Sequence, residues 1–176
     1  MHTGVNKKIA DLIGLKKTSI LSPKSKTLRR LTTYVPADSA EYVKNKLFDA
    51  GAGSIGNYEE CSFTTEGTGT YRPGSECNTA IGSAGGSRES VIESKLEFLI
   101  PTHLTNQILG TLVKAHPYEE VSYFITELTN TNQEVGSGMV GELDKEIDTK
   151  KFLTELKDKM QINCIRHTAI CSDRIK

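Results

Sequence analysis

Two stretches of this chain, 65 positions apart, follow one plan. Tyr34-Val35-Pro36 and Leu99-Ile100-Pro101 each close an apolar run at a proline, and each is followed by a helix-like segment ending at an alanine, Ala50 and Ala115, the same distance past the proline. This internal duplication constrains the fold more than any other feature of the chain. A strand–helix–strand unit needs a helix-sized crossover, and two such units in tandem place two crossovers on one face of a four-stranded sheet. The expected fold class is therefore α+β, a ferredoxin-like duplicated βαβ, with helical extensions at both ends.

The helices repeat in detail. Ala40, Val43, Leu47 and Ala50 recur at three- and four-residue intervals, and Ile108, Leu112 and Ala115 occupy the same stripe in the second copy, so each helix buries one face. Asp38 with Glu41 is placed to cap the first helix and Thr102 the second. Gly51 and Gly53 permit a left-handed exit after Ala50, whereas Pro117 drives His116 out of the helical region. Strands follow from alternation: Ile92 through Leu96, Phe98 and Ile100 before the second helix, and Val121, Tyr123 and Ile125 after it.

Outside the duplicated core, Val5 to Leu15 predicts a short helix and Ser22 to Arg30 a polar, basic connector. At the other end Thr149 is placed to cap a helix carrying Phe152, Leu153, Leu156 and Met160, with a strand from Ile162 to Ile170. These pieces have apolar stripes with little local partner material, as fragments of a larger domain would. Between the repeats, Gly74 to Ser90 reads as a long mobile loop.

Lys plus Arg equals Asp plus Glu at 22 each, which removes the global electrostatic case for nucleic acid. No stretch is long and apolar enough to span a bilayer, and the N-terminus lacks a signal-like core. The expectation is thus a cytoplasmic chain with neither nucleic acid nor membrane as partner. Cys61, Cys77, Cys164 and Cys171 show no CxxC pair or zinc-like spacing and read as reduced thiols.

Three motifs invite chemistry. Gly136-Ser137-Gly138-Met139-Val140-Gly141 matches GxGxxG, but the polar run before it and Glu142-Leu143-Asp144 after it argue against a pyrophosphate site. The Glu66-Gly67-Thr68-Gly69-Thr70 segment reads as a turn between strands first and as an anion nest second. Ala115-His116-Pro117-Tyr118-Glu119-Glu120 sets an imidazole and two carboxylates at a helix-to-strand junction, where a structural or subunit contact outweighs acid–base work. No Ser-His-Asp or Cys-His arrangement and no HxxxH or HxH pair exists, so no catalytic residue is assigned.

Thr33 to Pro36, Asp49 to Phe63, Glu66 to Pro73, Ala115 to Val121 and Val140 to Leu143 follow one another in a pattern that resembles the Nif-three-like family, whose members are labelled GTP cyclohydrolase I type 2 homologues. The resemblance covers chiefly the family's inserted domain, similar in fold to the PII and CutA proteins; His116-Pro117-Tyr118-Glu119 repeats a run found in CutA proteins. It implies an N-terminal remnant and linker over 1–30, a PII/CutA-like domain over 31–130, and the start of the second half of the main domain over 131–176. Complete members hold two divalent metal ions with His, Asp and Glu ligands. No residue here, Met1-His2-Thr3 included, matches such a ligand, so no metal or other cofactor is expected in this chain. The implied role is a self-associating module, a trimer, or a hexamer in complete members, with a small molecule as further partner. Its best ligand shell is Glu66, Thr68, Gly69, His116, Tyr118 and Glu119. The alternative is a metal-dependent hydrolase acting on a nucleotide-like substrate in the full-length protein.

Overall fold

The computed structural model describes residues 4–132 and 134–176; the Met1-His2-Thr3 reading lies outside them. In chain order the elements are α1 (Val5–Ile13), β1 (Lys16–Pro23), β2 (Leu28–Pro36), α2 (Ala40–Asp49), β3 (Ser62–Tyr71) and β4 (Glu89–Pro101). After a 3-10 turn at Thr102–Leu104 come α3 (Thr105–Ala115), β5 (Tyr123–Glu127), β6 (Gly136–Glu142), β7 (Ile147–Asp148), α4 (Thr149–Lys159) and β8 (Arg174–Ile175). They form two compact units, Lys26–Asn130 and a second built from 1–25 with 131–176.

The unit Lys26–Asn130 runs β2-α2-β3-β4-α3-β5 with sheet order β3-β4-β2-β5, every neighbouring pair antiparallel. That is the ferredoxin-like topology read from the duplication. Both prolines end their strands, at Pro36 and Pro101, where a residue without an N–H costs no ladder bond. Leu31 and Val35 of β2, Leu96, Phe98 and Ile100 of β4, Val43 and Leu47 of α2, and Ile108 and Leu112 of α3 are all but inaccessible and form one core. Alternation sends Arg30, Thr32 and Tyr34 of β2, with Lys95, Glu97 and Leu99 of β4, to the opposite, helix-free face.

Several local expectations are corrected. Neither Asp38 nor Thr102 caps a helix: Ser39 holds the N-cap of α2 without a side-chain bond, Asp38 instead accepting from the Ser39 hydroxyl. Thr102 opens the 3-10 turn and donates its hydroxyl to Lys26 O, so that tight turn, rather than a side chain, leads into α3. The helix exits behave as read. Gly51 takes φ +96°, and His116 is extended with ψ 138° before Pro117. Strand β5 starts at Tyr123, two residues later than the alternation suggests, because Val121 packs on the core from the preceding loop.

In the second unit β1 pairs with β6 and β7 with β8, both antiparallel. The expected connector from Ser22 to Arg30 shrinks to 24–27, since β1 and β2 find partners distant in sequence that supply ladder bonds local polarity does not reveal. Helix α1 stops at Ile13, with Gly14 at φ +92°. Asp148, not Thr149, caps α4, its carboxylate accepting the Lys151 N–H at 2.9 Å. The strand expected over Ile162 to Ile170 does not form. No neighbouring strand pairs with it, and alternation without a ladder is not a strand. The GxGxxG run is β6 itself, paired with β1, so no helix start follows it. Among the described residues no helix is long and apolar enough to cross a membrane.

Candidate functional site

The Glu66–Thr70 segment is neither turn nor nest but the middle of β3, its backbone committed to β4 from Glu66 opposite Ser94 to Thr70 opposite Ser90. Period-two alternation then separates its members. Gly69, opposite Val91, shares the helix-free face with Glu93, whereas Glu66 and Thr68 point to the other side. Of the six residues proposed from sequence, Gly69, Tyr118 and Glu119 line one cavity of about 390 Å³ and His116 stands behind it; Glu66 and Thr68 do not line it.

Strands β2, β3 and β4 form the floor of this cavity through Tyr34, Gly69, Tyr71 and Glu93. The loop after β3 closes one side and the turn after α3 the other. That loop, read as mobile over Gly74 to Ser90, holds internal bonds: Tyr71 Oη donates to Ile81 O at 2.8 Å, Arg72 Nε to Gly86 O at 3.2 Å and Gly85 N to Gly74 O at 2.8 Å. Glu119 ties it to the turn, accepting the Asn78 N–H on Oε2 at 3.0 Å.

His116 is buried, 7% exposed. The Tyr118 N–H donates to its Nδ1 at 3.0 Å, so that nitrogen carries no proton and Nε2–H donates to Tyr34 O at 2.9 Å. Tyr34 lies one residue past the last β2–β5 pair, Thr33 with Tyr123, and the imidazole supplies the carbonyl's partner where β5 has ended. Burial pushes the His116 pKa below its ordinary value, against the opposing pull of the Tyr34 carbonyl and the Glu93 charge. A neutral ring that uses both nitrogens on backbone groups is a positioning device for Tyr118, not a free base.

Tyr118 lies with its ring centroid 5.1 Å from His116 and 6.2 Å from Tyr71. Its hydroxyl oxygen is buried and faces the Glu93 carboxylate without a hydrogen bond of proper geometry. Burial first, then Glu93, raises its pKa. Glu93 is half-buried and in no ion pair among the described residues. Its carboxylate lies across Gly69, where a Cβ would sit 2.0 Å from Oε2. In this rotamer the carboxylate occupies the space that a side chain at Gly69 would take. Sequence reasoning missed Glu93, Tyr71 and Tyr34; the signal available was the polar phase of the alternating run through β4, which places Glu93 on the face opposite Leu96 and Phe98.

Among the described residues no three His, Cys, Asp or Glu side chains come together as a metal site. Pro117 is exposed and fixes the exit from α3. Pro117→Ala is expected to cost about 1 kcal/mol through the freer unfolded chain, read as a lower melting temperature.

A family model described as Duf34/NIF3 (NGG1p interacting factor 3) matches residues 1–176. The GTP cyclohydrolase 1 type 2 homolog of Bacillus subtilis (strain 168) is 36% identical over 174 residues, 98% of this chain and 46% of that protein. A solved Bacillus cereus protein related to NIF3 superposes with TM-score 0.79 at 35% identity, covering 97% of this chain and 45% of the other. CutA from Xylella fastidiosa matches at 17% identity and TM-score 0.44, over 76% of this chain and 97% of that one. The chain spans about half the length of the curated relatives it matches.

Proposed function

The chain belongs to the Duf34/NIF3 family, as its motifs implied, and from that premise we propose that residues 26–130 serve as a small-ligand-binding module that works as a self-associated assembly. The observation that carries the ligand reading is the cavity of about 390 Å³ on the helix-free face, where the Glu93 carboxylate, beside the buried Tyr118 hydroxyl, has no cationic partner among the described residues. Pockets that hold small molecules have this size, aromatic walls and a few convergent polar groups. Gly69, Tyr118 and Glu119 are the ligand shell retained from the sequence, with His116 positioning Tyr118.

Self-association is supported by the same face. Phe63 on edge strand β3 and Phe124 on edge strand β5 are 65% and 59% exposed, and a second copy would cover them and the sheet edges. A trimer is the arrangement the family resemblance implies. Sedimentation at tens of micromolar should show it, with Phe63→Asp shifting the chain toward monomer; monomer alone for the parent would overturn the assembly. For the ligand, a small molecule lost on Tyr118→Ala while assembly persists would support the cavity reading. A cytoplasmic setting suits four cysteines that form no disulfide, Cys61, Cys77, Cys164 and Cys171.

The second reading, a metal-dependent hydrolase of nucleotide-like substrates in the longer protein, is favoured by the name the relatives carry. Elemental analysis separates the two. This chain should hold no stoichiometric divalent ion, and about two per chain would favour the hydrolase.

A further inference from the structure

We propose that the cavity selects a small organic cation bearing N–H donors, an amidinium, guanidinium or alkylammonium, with its charge on Glu93 and its body against the rings of Tyr71 and Tyr118. This rests on the ligand-binding reading above and adds the chemical class.

Charge comes first. Glu93, Glu119 and Glu120 line the cavity against a single guanidinium, that of Arg72, whose Nε is already engaged by Gly86 O. A phosphate or carboxylate ligand would meet three carboxylates at short range. Glu119 is partly committed to the Asn78 amide, but Glu93 has no cation within ion-pair distance among the described residues, although Lys95 and Arg30 on the same face both reach Glu97. A half-buried carboxylate left without a cation is stabilised by one that arrives with the ligand.

Shape agrees. The Glu93 carboxylate lies against β3 at Gly69, and the buried Tyr118 hydroxyl beside it faces that carboxylate. Tyr71 and Tyr118, tilted 60° to one another with centroids 6.2 Å apart, present aromatic surface to the bound molecule. Aromatic faces attract cations and flat apolar bodies alike. Carboxylate and aromatic walls together describe a receptor for a flat or short-chained cation.

Three ring compounds of one size test this: benzamidine, cationic at neutral pH, neutral benzamide and anionic benzoate. Binding is followed by titration calorimetry and by amide shifts in nitrogen-15-labelled chain. Benzamidine should move the amides of Gly69, Tyr71 and Tyr118 and bind about tenfold or more tightly than benzamide, with benzoate not binding. Glu93→Gln should erase the preference for benzamidine, while Glu97→Gln, outside the cavity, should leave it intact; equal melting temperatures show that both variants fold. Benzamide or benzoate binding at these amides as well as benzamidine overturns the cation assignment and leaves the ligand-binding reading standing. Shifts elsewhere, or a preference untouched by Glu93→Gln, also overturn the assignment. If none of the three moves the cavity amides, both readings fall.

Discussion

His116→Ala is expected to destabilise the chain by about 2–4 kcal/mol, because it leaves the Tyr34 carbonyl and the Tyr118 N–H without partners at a buried site. Its effect should depend on pH with a defined sign. Burial depresses the His116 pKa in the folded chain, so as pH falls through about 6.5 the unfolded chain takes up the proton first and stability is lost below that value. Protonation of the folded chain would also put a proton on Nδ1, facing the Tyr118 N–H. The parent's melting temperature should therefore decline from pH 7.5 toward 5.5, and His116→Ala should flatten that part of the profile. A parent profile that rises on acidification would show His116 to be charged and paired instead. Because His116 positions Tyr118, the variant should also weaken binding in the cavity, which a purely structural role elsewhere would not do.

Phe98→Ala should be costlier still, about 3–5 kcal/mol, since it removes a ring that is 1% exposed and packed edge-on at 5.7 Å against Phe48. Phe98 stands opposite Leu31 on β2 and Ser62 on β3, so the void would open where α2 meets the two central strands. Denaturant unfolding should show a lower midpoint with little change in slope. Phe63→Ala, which truncates an exposed ring one residue along β3 from Ser62, should cost far less in stability and act on assembly instead.

The contrast between Phe98 and Phe63 shows how much was legible. The apolar stripes of α2 and α3 and the alternation of β4 are properties of consecutive residues, and the structure places Val43, Leu47, Ile108, Leu112, Leu96 and Phe98 in the core as those patterns require. Failures came where a segment's state depends on a distant partner. Residues 16–23 are mostly polar or basic yet form a strand because β6 lies beside them, and Ile162 to Ile170 alternates without a neighbour and forms none. Glu66 and Thr68 do not line the cavity for a related reason. A strand has two faces, and one step along β3 exchanges them.

By itself, then, the sequence determined the duplicated unit, its crossover helices, the strand ends at Pro36 and Pro101, and the helix stop before Pro117. These follow from backbone and periodicity constraints that act within a few residues. Only the tertiary structure decided that Glu93 lies across Gly69, that Tyr118 faces it, and that His116 bridges to Tyr34 past the end of β5. Each of these contacts joins residues more than twenty positions apart in the sequence. Their existence depends on strand register, and register is settled by burying the whole face of the sheet at once rather than by any local run of residues.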